Sequence, residues 1–437
     1  MLAELHKEVR RIRRLESAWK KVRDNGRKSR SKRTRAEIDE FSGDAGPNIR
    51  SIQSQMVAGS FVFAPGRGWA EPPKSAGKAP RPIVITPIRS RVVARAILDV
   101  LLEQPNIQDV IQQPYSFGGI QKVDPEAIGA VPGAVQAAVQ SIQGGNCYFI
   151  RSDISGFFRK IPKNNVLEFI RSRIDCPQFC DLVEASMKVE LDNIDQLREH
   201  ADIFPLEDIG VAQGCALSPL AGNILLSEFD QRMNSGVCTC IRYIDDFLIL
   251  GPTQKDVEEG FKLAIELLSK FDMEAYSPKD RPDKAECGNV YLDCLEFLGV
   301  EIVNGSVRPS GKNRGNLINS VNDIIQDHTK KTPSGERSDR WNYDHSYLRC
   351  LATINSVVAG WGNQYYFCND RKIMDDLDIK IGNQLTDLAG RFRSMSQNLT
   401  PLGRRRLMGV RSLHDCKVDP IEWRRGRKGV DTDLPWQ

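Results

Sequence analysis

The 437-residue sequence contains no apolar run that approaches the roughly 18 residues needed to span a membrane. It also has no apolar core of a signal peptide, because the chain turns basic from Lys7 onward. We therefore expect a cytoplasmic protein with no membrane partner. At this length and with 40% apolar residues, two to four structural units with a sizeable core are expected.

Cysteine motifs of the kind that bind zinc are also missing. The eleven cysteines stand singly or in the spacings Cys176-x3-Cys180 and Cys238-x-Cys240, without C-x2-C pairs and partner histidines. No zinc site is therefore expected. The thiols are expected to be reduced and mostly buried as small apolar side chains.

Positive charge is modest in total and uneven along the chain. The formal net charge is +4, but lysine and arginine concentrate in residues 7–35 and 391–428. One interpretation is solvated helix faces; the other is contact with a phosphate backbone, where such charges release counterions. The predicted RNA-binding residues are Arg10, Arg11, Arg13, Arg14, Arg404, Arg405 and Arg406.

Two adjacent carboxylates, Asp245 and Asp246, lie between the strand-like runs Val237–Arg242 and Phe247–Leu250. Carboxylates at a tight turn repel each other unless a cation lies between them. A third carboxylate, Asp153, follows the apolar run Cys147–Ile150. Paired magnesium ions bind such hard oxygen ligands, so the three aspartates predict a site for two Mg²⁺, with Mn²⁺ as a possible substitute.

Local patterns predict several further elements. Residues 1–40 are expected to be helical and very polar, and Pro219 is expected just inside the start of a helix. An amphipathic helix is expected over Val257–Phe271. Short strands are expected around Val290–Tyr291 and over Glu296–Val303.

Three segments resemble polymerase motifs of reverse transcriptases. Residues 151–158 (RSDISGFF) resemble motif A, 213–220 (QGCALSPL) motif B, and 243–246 (YIDD) motif C. Upstream, 81–85 followed by 89–93 is similar to the fingers motif of bacterial group II intron-like enzymes, and 296–300 resembles their primer-grip hairpin.

The resemblance implies an α+β, right-hand polymerase fold with an antiparallel palm sheet. The expected domains are a basic helical N-terminal extension (1–45), fingers (46–146), a palm with the catalytic site (147–305), and a helical thumb with a basic tail (306–437).

The resemblance also implies roles for individual residues. Asp153, Asp245 and Asp246 would be catalytic metal ligands, with the Ile154 backbone carbonyl as a further ligand. Phe158 would exclude the ribose 2′-hydroxyl, although core packing is expected to claim one of Phe157 and Phe158. The other implied contacts are Lys78, Arg81, Gln213 and Gly214 to the nucleotide, Tyr243, Leu298 and Gly299 to primer or template, and Lys279 or Lys284 as proton donor to pyrophosphate.

The implied function is RNA-directed DNA synthesis from dNTPs, with a structured RNA template and a DNA primer or product as partners. Among bacterial enzymes the chain is most similar to stand-alone antiphage reverse transcriptases, which commonly copy a dedicated noncoding RNA. A group II intron maturase is an alternative, since 361–366 (WGNQYY) resembles the maturase thumb. A retron enzyme, an RNA-dependent RNA polymerase, and an RNA-binding protein without polymerase activity are others. No pattern in the sequence indicates an oligomeric state.

Overall fold

The computed structural model describes residues 4–29, 31–73, 80–119, 128–330, 343–397 and 399–411. The chain divides into two compact units, Met1–Leu298 with Ile302–Gly305, and Gly299–Glu301 with Ser306–Gln437. The predicted boundaries between N-terminal extension, fingers, palm and thumb remain predictions.

The first unit combines fourteen described helices with the strands that carry the candidate site. The helices are α1 (Leu5–Val9), α2 (Ile12–Arg27), α3 (Lys32–Gly43), α4 (Ala45–Val57), α5 (Ile88–Leu101), α6 (Pro105–Ile111), α7 (Ala130–Gln143), α8 (Phe157–Lys160), α9 (Lys163–Arg173), α10 (Pro177–Met187), α11 (Ile194–Leu197), α12 (Ser218–Leu225), α13 (Ser227–Met233) and α14 (Gln254–Ser269), with a 3₁₀ helix at Arg198–Ile203. The strands are β1 (Arg67–Glu71), β2 (Arg81–Ile85), β3 (Ser116–Phe117), β4 (Tyr148–Asp153), β5 (Thr239–Tyr243), β6 (Asp246–Gly251), β7 (Glu286–Asn289) and β8 (Leu295–Phe297).

A five-stranded sheet with the order β3-β5-β6-β4-β7 forms the centre of the first unit. Neighbouring strands run antiparallel except for the short β3, which pairs with β5 in parallel. The apolar run Phe247–Leu250 in β6 is fully buried. Helix α14 packs against β4 and β6, and α7 packs against β3 and β5. Such coverage explains why β6 is continuously apolar rather than alternating.

The basic N-terminal segment folds into helices that belong to the core of the first unit. Leu15 and Trp19 on α2 are buried, and Trp19 contacts Phe41 on α3 with ring centroids 4.4 Å apart. Helix α2 also packs along α5, where Lys21 donates to the buried Asp99 at 2.9 Å. The predicted helical character is confirmed over the described residues of this segment, although a break at Arg10-Arg11 separates α1 from α2.

Helix ends follow the local signals. Pro219 lies within the first two residues of α12, as predicted. The helix expected over Val257–Phe271 is α14, which begins three residues earlier because the Thr253 side chain accepts a hydrogen bond from the Asp256 backbone N–H.

Two strand predictions are confirmed in part, since β7, β8 and β9 (Val300–Val303) lie at or next to the predicted ranges but differ from them in extent. Val290 and Tyr291 follow β7 in a turn, which is held by the Asn289 carboxamide oxygen accepting from the Tyr291 N–H. The strand expected over Glu296–Val303 is interrupted, because Leu298 and Gly299 both adopt positive φ, 52° and 81°. Positive φ at two successive residues makes a tight hairpin turn, and it lies in the segment 296–300 that resembles a primer-grip hairpin.

The second unit is built mainly from helices. It contains strand β10 (Ser306–Pro309) and the first two residues of strand β9 (Val300–Val303), whose last two residues belong to the first unit. Its helices are α15 (Gly311–Lys330), α16 (Tyr347–Gln364), α17 (Arg371–Gln397) and α18 (Pro401–Met408), with a 3₁₀ helix at Tyr343–His345. Their core joins Val321 of α15, Cys350 of α16 and Leu388 of α17, all fully buried. The α+β class predicted from the sequence is confirmed.

None of the helices within the described ranges combines the length and the apolar character needed to cross a bilayer.

Candidate active site

The pairing of β4 with β6 brings the predicted aspartates together. Asp153, the last residue of β4, lies directly opposite Asp246, the first residue of β6. Asp245 lies in the two-residue turn between β5 and β6, and its carbonyl accepts a hydrogen bond from the Ile154 N–H at 3.0 Å. Residues directly opposite in an antiparallel pair have Cβ atoms about 5 Å apart, so all three carboxyl groups share one end of the sheet.

The turn that carries Asp245 is strained. Ile244, its first residue, has φ of +60°, a conformation that is costly for a β-branched side chain and usually belongs to glycine in this turn position. Two hydrogen bonds hold the turn in place: the Ile244 N–H donates to the Phe117 carbonyl at 3.3 Å, and Arg242 Nη1 donates to the Ile244 carbonyl at 2.8 Å.

Arg242 is fully buried although it carries a charge. Its guanidinium forms a two-pronged ion pair with Asp230 of α13, with distances of 2.7 and 2.5 Å. Nη2 also donates to the Ser116 hydroxyl at 2.7 Å and to the Asn223 carboxamide oxygen at 3.2 Å. This arginine therefore connects the Ile244-Asp245 turn to β3, α12 and α13. The sequence interpretation missed it, although an arginine within an otherwise apolar strand is itself a signal of a buried ion pair.

The carboxyl groups at the turn resist ionisation. Burial, followed by the charges of Asp153 and Asp246, raises the pKa of Asp245 to about 7. Burial and the charge of Asp153 raise the pKa of Asp246 to about 6. Nearby negative charges in a partly dehydrated site favour a bound cation over free carboxylates.

Lys284 is the cation in direct contact with this group. Its Nζ donates to Asp153 Oδ2 at 3.0 Å and lies 5.3 Å from the ring centroid of Tyr276. The backbone of Tyr276 is fixed in turn, because its N–H donates to the Asp153 carbonyl and its own carbonyl accepts from the Ser152 hydroxyl. Of the two lysines considered from the sequence, Lys284 is at the site, whereas Lys279 is exposed in the preceding loop.

Gln213 and Gly214 lie beside the edge of β2. Gln213 forms a bridge with Ile83, and its carbonyl accepts from the Val84 N–H at 3.2 Å. Gly214 has φ of +109°, and a Cβ there would lie 3.3 Å from the Val84 carbonyl oxygen, so this close approach favours glycine. Arg81 is exposed at the start of the same strand, two residues before Ile83 and on the same face. Lys78 lies outside the described residues.

The side chains of Phe157 and Phe158 differ in burial, which decides which of the two rings packs in the core. Phe157 is buried against Gly222, where an added Cβ would lie 2.7 Å from its ring. Phe158 is only half-buried, and its carbonyl accepts from the Val211 N–H at 2.7 Å. Phe157 therefore fills the core, and Phe158 is the ring that remains partly accessible.

The predicted primer contacts are dispersed along the chain. Tyr243 pairs with Phe117 in β3 and lies beside Gly118. It directly precedes the Ile244-Asp245 turn. Leu298 and Gly299 form the turn between β8 and β9, and the Asn313 carboxamide donates to the Gly299 carbonyl at 3.0 Å. Their contacts with primer or template remain predictions.

The predicted RNA-binding arginines differ in how their charges are used. Arg14 donates to both carboxylate oxygens of Glu103 at 2.6 and 2.7 Å and also to Glu8, which Arg11 contacts at 2.5 Å. Arg10 is half-buried and Arg13 largely exposed. On α18, Arg404 and Arg405 are exposed, Arg406 is half-buried, and Arg404 Nε donates to the Leu399 carbonyl.

The donor set suits hard divalent cations. Asp153, Asp245 and Asp246 supply carboxylate oxygens at one point, and burial together with the neighbouring negative charges raises the pKa values of Asp245 and Asp246. Oxygen-only ligands of this kind are typical of magnesium sites. Residues 153, 154, 245 and 246 are therefore the ones that could hold such ions.

A family model described as reverse transcriptase (RNA-dependent DNA polymerase) matches residues 72–302, more than half of the chain. This match confirms the polymerase fold expected from the motifs. The matched residues include the five-stranded sheet, the Ile244-Asp245 turn and the loop that contains Gln213 and Gly214.

Two proteins of known sequence are similar to parts of the chain. Protein YkfC of Escherichia coli (strain K12) is 28% identical over 196 residues, covering 43% of this chain and 45% of that protein. An uncharacterized 91 kDa protein in cob intron of Schizosaccharomyces pombe (strain 972) is 27% identical over 187 residues, covering 42% of this chain and 20% of that protein. The matched region thus spans less than half the length of either relative.

Solved structures with partial likeness include a partial Cas6-RT-Cas1–Cas2 complex, with a TM-score of 0.32, 17% identity, and coverage of 60% of this chain and 42% of that one. Apo telomerase from Candida tropicalis, truncated from the C-terminal domain, gives a TM-score of 0.40 at 13% identity, with coverage of 57% and 55%.

The raised pKa values make stability depend on pH. Without divalent cations, Asp245 and Asp246 favour the folded state while protonated, and this contribution is lost as the pH rises from about 4 through 7. Asp245→Asn removes a charge that is costly at pH 8 but absent at pH 4. We expect its melting temperature, relative to that of the parent, to rise between pH 4 and pH 8 in EDTA, measured by calorimetry.

The matched control is Asp109→Asn, which changes an exposed carboxylate on α6 and should show no such trend. Added Mg²⁺ at pH 8 should stabilise the parent more than Asp245→Asn. An equal response of both proteins to Mg²⁺ would contradict cation binding at Asp245.

Loss of Arg242 should be severe. Arg242→Met leaves Asp230 buried without its partner, so we expect a loss of about 3–5 kcal/mol in the free energy of unfolding, measured with a chemical denaturant. The double variant Arg242→Met/Asp230→Leu removes both charges and should recover a large part of that loss. A double variant as unstable as the single one would show that the ion pair is not the cause.

Proposed function

The chain belongs to the reverse transcriptase family, and we propose that it is an RNA-directed DNA polymerase that extends a DNA strand from dNTPs on an RNA template. The observation that carries this proposal is the meeting of Asp153, Asp245 and Asp246 at one end of the sheet. In this reaction the primer 3′-oxygen attacks the α-phosphate of the dNTP, and pyrophosphate leaves.

We propose two Mg²⁺ ions as cofactor, with Mn²⁺ as a substitute, held by Asp153, Asp245, Asp246 and the Ile154 carbonyl. Reverse transcriptases generally use divalent metal ions. When bound, such ions stabilise the charge that develops on the attacking and leaving oxygens. The chain's own contribution is positional: the β4–β6 register and the Arg242 hydrogen bond to the turn hold the carboxylates in place.

The nucleotide would lie between this site and the edge of β2. Gln213 and Gly214 would line its base and sugar, and Arg81, with Lys78, would bind the triphosphate as positive charges. Lys284 would protonate the departing pyrophosphate, since its ammonium group already lies beside Asp153. Phe158 would exclude the 2′-hydroxyl of a ribonucleotide.

For the biological setting, we propose antiphage defence in the cytoplasm with a dedicated noncoding RNA as template. The support is the combination of polymerase motifs with basic segments at both ends of the sequence, an arrangement that resembles the stand-alone antiphage enzymes. These segments would bind structured RNA through its phosphates. Arg11, Arg13, Arg404 and Arg405 are the exposed members of those sets, and Arg11 is already paired with Glu8. An intron-encoded role is the second candidate, because one relative is a protein in the cob intron.

RNA that copurifies with the protein separates the two settings. A single noncoding RNA together with its cDNA supports the defence proposal. If the enriched RNA is instead an intron RNA, this result would contradict the defence proposal and support the intron-encoded role.

Primer extension tests the polymerase proposal. On an RNA template with a DNA primer, dNTPs and Mg²⁺, Asp245→Ala should extend primers at least about 100-fold more slowly than the parent, because metal-assisted charge stabilisation contributes several kcal/mol. Incorporation of labelled dNTP is the measurement.

Asp109→Ala is the matched control and should match the parent, because it removes an exposed carboxylate that contacts no site residue among those described. Equal extension by the parent and Asp245→Ala would refute the assignment of Asp245. Absence of extension by the parent, with RNA binding retained, would favour a protein that only binds RNA.

Sugar selection tests Phe158. Phe158→Ala opens space next to the 2′ position, so the preference for dNTP over NTP, measured as the ratio of kcat/KM values, should fall by at least about tenfold. Phe157→Leu is the control: it perturbs the buried neighbouring ring and should lower stability without changing this ratio. An unchanged ratio in Phe158→Ala would remove the steric role.

A further inference from the structure

The second unit contains a cluster of potential metal ligands away from the polymerase motifs. One ligand atom each of Asp327, His328 and His345 lies within 4.8 Å of the other two. Asp327 and His328 belong to the last turn of α15, and His345 ends the 3₁₀ helix that precedes α16. Elements that are distant in sequence therefore converge here.

The orientation of His328 leaves one ring nitrogen suited to metal binding. Its Nδ1 lies 2.9 Å from the carbonyl of Ile324, one helical turn earlier. A carbonyl only accepts hydrogen bonds, so Nδ1 carries the proton and Nε2 carries the lone pair. A backbone carbonyl that fixes the far nitrogen of an imidazole in this way is the usual support of a metal-bound histidine.

His345 supplies the second imidazole. Its Nδ1 is buried and, among the residues that the structure describes, has no hydrogen-bond partner. A buried polar nitrogen in this condition is costly. The His328 and His345 rings meet at 75° with centroids 5.6 Å apart, and His328 is only 7% exposed. Two nearby imidazoles and a carboxylate have the composition of a metal site.

The donor set selects the class of metal. Two imidazole nitrogens and one carboxylate oxygen suit Zn²⁺ or a similar transition metal, whereas Mg²⁺ prefers oxygen ligands only. Three protein ligands would leave a fourth position for water. The absence of C-x2-C motifs predicted no zinc site, but that argument concerned cysteine ligands and took no account of histidines far apart in sequence.

We propose that Asp327, His328 and His345 bind one Zn²⁺ ion that joins the end of α15 to the start of α16. The site consists of residues outside those proposed for catalysis. The zinc proposal can therefore be tested independently of polymerase activity. Because the ligands come from two segments of the second unit, zinc should stabilise that unit against unfolding.

Cobalt is the spectroscopic probe of this site. The full-length protein is stripped of metal with a chelator and titrated with Co²⁺ in millimolar Mg²⁺, which favours the oxygen ligands of the aspartates. We expect one equivalent of Co²⁺ to give the visible absorption of a low-coordinate, nitrogen-ligated ion, without the near-ultraviolet band of cobalt–thiolate bonds. Added Zn²⁺ should abolish the absorption, and Zn²⁺ alone should raise the melting temperature by about 5 °C or more.

Variants assign the ligands. His345→Ala and Asp327→Asn should each weaken Co²⁺ binding at least about tenfold and reduce the Zn²⁺-induced rise in melting temperature. Asp327 is exposed, so Asp327→Asn tests the site even if His345→Ala fails to fold. His200→Ala, which removes an exposed imidazole in the first unit, and Asp245→Ala should both bind Co²⁺ like the parent.

The proposal is overturned if the parent shows no Co²⁺ absorption at protein and metal concentrations high enough for the weak d–d bands of a bound ion to be measured. It is equally overturned if Asp327→Asn and a folded His345→Ala titrate like the parent.

Discussion

The repulsion among three carboxylates at one end of a sheet is the constraint around which the first unit is organised. Asp153 and Asp246 face each other across β4 and β6, and Asp245 lies in the adjoining turn. Burial and mutual charge oppose ionisation of Asp245 and Asp246. The rest of the fold must therefore hold these carboxyl groups together against their repulsion when they are ionised. The fully buried run Phe247–Leu250 of β6, the Lys284 contact and the Arg242 hydrogen bond to the turn all resist that separation.

The parts of this arrangement that depend on short sequence patterns were predictable. Asp153 and the Asp245-Asp246 pair each follow or precede an apolar run that reads as a strand, and the motif order identified their pairing. The α12 start at Pro219 and the amphipathic α14 were predictable for the same local reason. The turn at Leu298-Gly299 was implied only by the resemblance of 296–300 to a hairpin, because a leucine does not signal the positive φ that it adopts here.

Contacts between residues that are distant in sequence could not be predicted from local sequence patterns. The Arg242 ion pair joins β5 to α13, and Lys284 reaches Asp153 from 131 positions away. The basic N-terminal segment illustrates the same limit. Its sequence indicates phosphate contacts, yet the Arg14 guanidinium is bound to Glu103, and Lys21 is bound to Asp99. Charge density in a sequence does not distinguish a binding surface from internal ion pairs.

Arg242 also connects helix α12 to the turn that carries Asp245. Helix α12 begins four residues after Gly214 and carries Asn223, whose carboxamide oxygen accepts from the same guanidinium that holds the Ile244 carbonyl. If an incoming base pair displaced this helix, the planar Arg242 guanidinium would transmit the displacement to the turn that contains Asp245. Under the proposed function, base pairing and the placement of Asp245 would then be coupled through one fully buried side chain.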